Sequence, residues 1–445
     1  MLLAFLAAPD AHALPARDIA GIALHPWQLQ TAHVRERMFA GAAATGVRWV
    51  RVDMPWSAVE GDGPTLQAGH GNWGTIDAIV HAADRHGLKL LPVVGFTPKW
   101  ASFTGHPWTF PYAQPFEEFF AAALRRYPQI PAWELWNEPN FERFAKPQPD
   151  PAGFVEFLRS ARRARDSVGS SAKLISGGVA PGGGIDIVPW VDQVAAGGGL
   201  GLIDGLGVHP YSVAEPDDPR AWMMQLEALH QHLAELGRPD LPLWLTEFGT
   251  PSVPVANGYG PPLTEQQQAD RLRIAFAVAA RFDWIENLTW YELRDSCAHP
   301  QDPECNFGLV RADLSPKPAY DALRDVIAGA SAKLRPRLTL SARIGQVRGR
   351  AVARARRRTL SRITISGKLT LPGSPPQYAV IIAWLPRRGG PPRAVPVAVR
   401  EGTFWARFAG RDLRAGTLQA RYLGSDVYQP LTIQVQVAAP LSSRR

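Results

Sequence analysis

Two glutamates in this chain stand where a carboxyl group can do chemistry. Glu138 follows the apolar run AWELWN inside PAWELWNEPN (131–140), and Glu247 closes LPLWLTE (241–247). Two carboxyls on opposite sides of one acetal carbon can protonate a leaving oxygen and attack the carbon from the other face. That is the chemistry of the bond between sugars, and in its retaining form the carboxyls stand about 5–5.5 Å apart. Pro139 is expected to hold Glu138 extended and to end the strand there. Asn137 offers an amide that can hydrogen-bond a sugar 2-hydroxyl, and Gly249 lets the chain turn sharply after Glu247.

Such a pair needs two strand ends that converge. Upstream of residue 330, short apolar runs alternate with amphipathic stretches, the pattern of a parallel α/β fold. The runs AGIALH (20–25), VRWVRVD (47–53), LKLLPVVGF (88–96), AWELWN (132–137), KLISGG (173–178), IDGLGVH (203–209), LPLWLTE (241–247) and IENLTWYE (285–292) read as strands. Helices are predicted at Asn72–His86, Glu117–Arg126, Ala152–Val168, Arg220–Leu236, Glu265–Arg281 and Pro318–Ile327. Eight β/α units are the count of a closed (β/α)₈ barrel. No Gly-rich phosphate loop follows the first strand, as it would in a nucleotide-binding open sheet. Barrel active sites sit at the C-terminal strand ends. His25, Asp53, Glu138, His209, Glu247 and Trp290 all fall there.

WNEP and TEFG, on the fourth and seventh predicted strands, together resemble the clan A retaining glycoside hydrolases. VVGFTPKWAS (93–102) and WELWNEPN bring the resemblance closest to family 39, which holds β-xylosidases, α-L-iduronidases and bacterial exopolysaccharide hydrolases. Family 5 is next, but a His expected at the end of its third strand is replaced here by Gly95-Phe96-Thr97. The resemblance implies that Glu138 is the acid/base and Glu247 the nucleophile. It implies that Arg51 lies beside Glu247 and holds it ionised. His209 and Tyr211, in GVHPYS, would line the site, with Tyr211 hydrogen-bonded to Glu247, and Trp290 would floor the sugar subsite. The substrate would be a carbohydrate, with no cofactor and no metal.

Several of these residues carry a second reading. Arg51 could balance Glu134, which strand alternation places deeper on the face of Glu138, where a charge must be paired or neutral. His209 could support the site from behind, and His25 could contact sugar or satisfy the barrel rim. A different class of function also fits the fold, a polysaccharide-binding or adhesin-like protein on an inactive barrel. The set Arg51, Asn137, Glu138, Tyr211 and Glu247 argues for the enzyme.

The rest of the chain adds context. Its 445 residues, 46% hydrophobic and 20% charged, suit a large core. Residues 1–16 resemble a signal peptide with small residues near AHA or LPA but no basic start, so we expect a secreted or cell-surface protein. No stretch reaches the roughly 18 uninterrupted apolar residues of a membrane span. Cys297 and Cys305 read as a bridge closing a short loop if the chain is exported. His299, Asp302 and Glu304 nearby make a metal the minor alternative, at no established ligand spacing.

From residue 333 to 445 the pattern becomes β-rich, and a sandwich is predicted beyond the barrel domain of residues 17–332. LQARYLGSDVYQPLTIQVQV resembles the final hairpin of bacterial immunoglobulin-like repeats. From Arg335 onward there are 21 Lys and Arg against three acidic residues, a balance of +18; upstream there are 27 basic and 37 acidic, a balance of −10. The run VRGRAVARARRR (347–358) is not interleaved with aromatics and the barrel is acidic, which disfavours nucleic acid. An acidic polysaccharide or cell envelope suits the basic domain better, although the run also reads as a solvated face. We expect a monomer.

Overall fold

The structure, a computed structural model, describes residues 16–66, 71–211, 219–255, 262–280 and 282–329. Of the C-terminal part it describes 337–348, 359–371, 377–386, 393–400, 402–410, 416–422 and 431–437. The N-terminal segment 1–15 and most of the basic run lie outside these residues. The chain divides into two compact units, Met1–Ser331 and Ala332–Arg445.

The first unit is a (β/α)₈ barrel. Its strands are β1 (Ala20–Leu24), β2 (Trp49–Pro55), β3 (Lys89–Gly95), β4 (Ala132–Asn137), β5 (Lys173–Gly178), β6 (Leu206–Gly207), β7 (Leu243–Phe248) and β8 (Ile285–Trp290). All are parallel, in the order β5-β4-β3-β2-β1-β8-β7-β6, and the bridges Ile175–Gly205 and Val179–Val208 close the ring. Helices follow each strand in turn: α1 (Ala32–Ala44), α2 (Gly74–Arg85), α3 (Ala113–Arg126), α4 (Pro151–Ser167), α5 (Ile187–Ala196), α6 (Pro219–Glu235), α7 (Glu265–Ala279) and α8 (Pro318–Ile327).

Local chemistry starts these helices. Thr31 and Asp150 accept from the backbone of Val34 and Gly153, and Pro151 opens α4 without needing its missing N–H. Thr264 and Gln267 cap α7 reciprocally. α3 begins four residues before the predicted Glu117, because Pro115 lies in its first turn, where the missing N–H has no intrahelical partner to lose. The predicted strand 203–209 shrinks to two regular residues.

Inside the barrel, alternate residues face the axis. At the N-terminal end Trp49, Leu91, Ala132, Ile175 and Trp244 form an apolar plug, with Trp49 and Trp244 edge to face at 5.2 Å. One pleat further up, the inward positions turn polar: Arg51 on β2, Glu134 on β4 and Thr246 on β7. The floor of the site is thus a step from hydrocarbon to charge. Among the described residues no helix is long and apolar enough to cross a membrane.

The second unit is an all-β sandwich of seven antiparallel strands: β9 (Arg337–Arg348), β10 (Thr359–Thr370), β11 (Gln377–Pro386), β12 (Arg393–Arg400), β13 (Thr403–Gly410), β14 (Gly416–Tyr422) and β15 (Leu431–Val437). Their order is β15-β14-β11-β12-β13-β10-β9. The lone pair Arg400–Thr403 joins β12 to β13 and divides the sheet into layers of three and four strands. On the far side β9 and β15 lie against each other. Ile363, Ile365, Val380, Ile382, Leu418 and Phe404 fill the interior. β12 escapes the sequence pattern because Pro396 interrupts its alternation.

Candidate active site

Arg51 is the centre of the site. It is buried, and its guanidinium reaches three partners. Nε donates to Glu134 Oε2 at 2.7 Å, Nη1 to Glu247 Oε2 at 3.1 Å, and Nη2 to Asn137 Oδ1 at 2.8 Å. Both sequence readings of Arg51 therefore hold at once. With its carbonyl held by Arg51, Asn137 keeps its NH₂ group for another acceptor.

Glu134 lies beneath, fully buried. Its Oε1 accepts from Thr246 Oγ1 at 2.8 Å and from the backbone N–H of Gly178 at 3.1 Å. Burial pushes this carboxyl up, but Arg51 and the hydrogen bonds of His209 and Arg51 overcome it and hold it down at about 2.

The two glutamates of the sequence motifs come together above. Tyr211 donates its hydroxyl to Glu247 Oε1 at 3.1 Å, as the resemblance implied. One carboxylate oxygen of Glu138, one of Glu247 and a ring nitrogen of His209 all lie within 4.8 Å of one another. Burial pushes the Glu247 carboxyl up, while the positive charges of His209 and Arg51 pull it back. The simple expectation that Arg51 keeps Glu247 ionised thus becomes a contest, in which desolvation opposes two cations.

The structure changes three expectations. Glu138 is not extended: it takes φ +43°, and Trp136 takes φ +83°. Strict alternation would turn Trp136 into the barrel and Asn137 out. The kink at Trp136 swaps them, so its indole packs between Phe110 and Phe157, outside the strand ring. Asn137 and Glu138 then both face the site. These left-handed residues are strained, and the barrel frame holds them there.

His209 does not line the site. It is fully buried under the carboxylates, with Nδ1 2.8 Å from Glu138 Oε1 and Nε2 3.2 Å from Thr246 Oγ1. It fits because Gly178 has no side chain: a Cβ there would be 2.1 Å from His209 Nε2. Burial pushes the imidazole down, but Glu247, Glu134 and Glu138 surround it and hold it up at about 9.

Trp290 is not the floor of a subsite. Its ring is fully buried, edge-on to Phe248, with Nε1 3.3 Å from the Phe307 carbonyl. A ring without exposed surface offers no face to a sugar. One exposed ring at the rim is Trp27, 54% exposed, which stacks on His25. His25 approaches Glu292 Oε2 at 3.3 Å and meets Tyr291 edge to face. Burial pushes its imidazole down, but Glu292, Asp53 and Glu247 more than restore it. His25 joins the rim to the site. Cys297 and Cys305 are bonded, Cα atoms 4.8 Å apart. Beyond that loop, Lys317 pairs with buried Asp295 at 2.7 Å.

Glu138, His209 and Glu247 are the described residues best placed to share a cation. Ligands about 2.1 Å from a tetrahedral zinc stand roughly 3.4 Å apart. The 2.8 Å contact between His209 and Glu138 is a hydrogen bond instead, and Arg51 already supplies the positive charge beside Glu247.

Sequence reasoning missed Thr246 and Gly178. Thr246 neighbours Glu247 and so should point the other way, but a register shift in β7 between Leu245 and Phe248 lets both reach inward. The Gly177-Gly178 pair was a legible signal, since adjacent glycines at a strand end mark a close approach.

No protein-family model and no curated protein matches the sequence. Solved structures do resemble it. One is a family 39 glycoside hydrolase from the gut symbiont Bacteroides cellulosilyticus WH2, with TM-score 0.56, 22% identity, and 88% of this chain and 79% of that one covered. GH5_18 from Streptomyces cattleya, in complex with GlcNAc, gives TM-score 0.54 and 19% identity over 70% of this chain and 80% of its own. A glucosidase from Croceicoccus marinus gives TM-score 0.55 and 13% identity, with 96% and 95% covered. The fold is one that glycoside hydrolases of several families share.

Proposed function

We propose that the protein is a retaining O-glycoside hydrolase acting on a polysaccharide or oligosaccharide. One observation carries this reading. One carboxylate oxygen of Glu138 and one of Glu247 lie no more than 4.8 Å apart, which suits the roughly 5–5.5 Å separation of retaining pairs and not the about 6.5–9.5 Å that leaves room for water in inverting ones. The surrounding contacts support it. Glu247, oriented by Arg51 and Tyr211, attacks the anomeric carbon as the nucleophile, and Glu138 protonates the leaving oxygen. Glu138 then takes a proton from water, which attacks the same carbon and releases Glu247. Asn137 offers its NH₂ to the sugar 2-hydroxyl, where a hydrogen bond strengthens as positive charge builds on the ring. The bridged loop 297–305 and the leader-like residues 1–16 fit a secreted protein, and the antiparallel β14–β15 pair and two-layer sheet fit an immunoglobulin-like second unit.

A matched pair of variants tests this. Glu247→Ala should be inactive on aryl glycosides and partly rescued by azide, yielding a glycosyl azide of inverted configuration. Glu138→Gln should lose natural substrates but keep the first step on aryl glycosides whose leaving group needs no proton. If azide restores nothing and a fluorosugar labels a different carboxylate, the assignment fails. A barrel that binds oligosaccharide yet turns over no glycoside would make the protein a binding module.

A further inference from the structure

The outer face of the three-strand layer is a polar surface with one large ring on it. On β13 the residues alternate, so Phe404, Ala406 and Phe408 point into the sandwich while Trp405 and Arg407 point out. Trp405 is 66% exposed, unusual for an indole with an interior available one residue away. The Arg407 guanidinium lies 5.3 Å from its ring centre.

Register places the neighbours. Trp405 pairs with Ser366 on β10, and Ser366 with Ser341 on β9; the two serine hydroxyls are 2.9 Å apart. This is a straight row across three strands, roughly 10 Å long at the usual strand spacing. The next row runs Arg407, Thr364, Arg343, and on the other side Lys368 is exposed. Strands β9, β10 and β13 contain no acidic residue at all.

We propose that this face binds an acidic glycan, a polysaccharide that bears carboxylates. The indole supplies a flat apolar platform for the C–H face of a pyranose, and the serine row supplies hydroxyls that can donate and accept beside it. The Arg407 guanidinium lies against the ring, Arg343 and Lys368 stand on the flanking rows, whose backbones are about 7 Å away, and these charges match carboxylates along the chain. Nucleic acid would also meet positive charge, but a single ring over a row of short hydroxyls offers no run of stacking platforms. The choice of a glycan over other polyanions rests on the reading of the barrel as a glycosidase.

The test uses the full-length protein and polygalacturonate, with neutral galactan and double-stranded DNA as comparisons. Retention in native affinity electrophoresis gives binding, and turnover of an aryl glycoside is measured in parallel. Wild type should be retarded by polygalacturonate more than by galactan. Trp405→Ala should weaken that binding about tenfold. Arg343→Gln with Arg407→Gln should weaken it as far and flatten its salt dependence. Turnover of the small glycoside should not change in either. Wild-type binding in Trp405→Ala, equal retention by galactan, or DNA retention that matches polygalacturonate and ignores Trp405 would each overturn the proposal. Loss of all turnover with Trp405-dependent binding intact would sink the reading of the barrel and leave this one standing.

Discussion

Arg51 binds two carboxylates and an amide with one side chain, and this arrangement has consequences through the proposed cycle. When Glu247 carries the sugar it loses its charge, and Arg51 keeps Glu134 as a counter-ion. It never becomes an unpaired buried cation, a state worth several kcal/mol of destabilisation. His209 is the complementary group, a buried cation enclosed by three carboxylates. Its folded value near 9 lies above the unfolded value near 6.5, so its contribution is complete below about pH 6.5 and is lost as pH rises toward 9. The difference amounts to on the order of 3 kcal/mol. Urea denaturation across that range should show wild-type stability falling, and His209→Gln should lack that part of the slope. Equal slopes would show that His209 does not titrate there. At this scale the sequence was legible where a motif surrounds the residue, as at Glu138 and Glu247. It was silent on Thr246 and on the burial of Trp290, since both depend on how neighbouring strands and loops pack over them.

Strand ends determine which residues meet. β4 departs from regular pleating at Trp136, and that departure delivers Asn137 and Glu138 to the same side. β5 contributes an absence: at Gly178 a Cβ would meet His209 Nε2 at 2.1 Å, just past the end of neighbouring β6, and Thr246 Oγ1 at 2.8 Å, on β7. Gly178→Ala should therefore displace His209 from Glu138 while the barrel, closed elsewhere by unaltered pairing, still folds. We expect at least a tenfold loss of kcat with modest loss of stability, of about 1–3 kcal/mol, typical of overpacking. Unchanged kcat in a folded variant would show that His209 has no part in positioning Glu138. The regular parts of these elements were readable from periodicity, and β4, β5 and α8 begin and end where the pattern predicts. The kink at Trp136 was not, because alternation is a rule about regular strands and Pro139 pointed the other way.

Each of the two units has its own buried interior, and the acidic and basic halves of the sequence coincide with them. A chain ending after Ser331 should therefore fold and retain near-normal turnover of small glycosides, while losing retention by polygalacturonate. An insoluble product would show instead that the sandwich supports the barrel. The two-part division was legible in charge and composition, whereas the layering of the second unit depended on a strand, β12, whose proline hid it. In both units the first strand finds a partner in the last: β1 pairs with β8, and β9 lies against β15. Neither structure can be completed until its final strand has left the ribosome. At about 5–20 residues per second, the open edge of β1 is exposed for roughly ten seconds to a minute of synthesis. Since β8 ends at Trp290 and β9 begins at Arg337, the barrel's last strand leaves the ribosome first and the protein is made as two successive waits, so a premature stop in β15 should spare the first unit and leave the second with an unmatched edge.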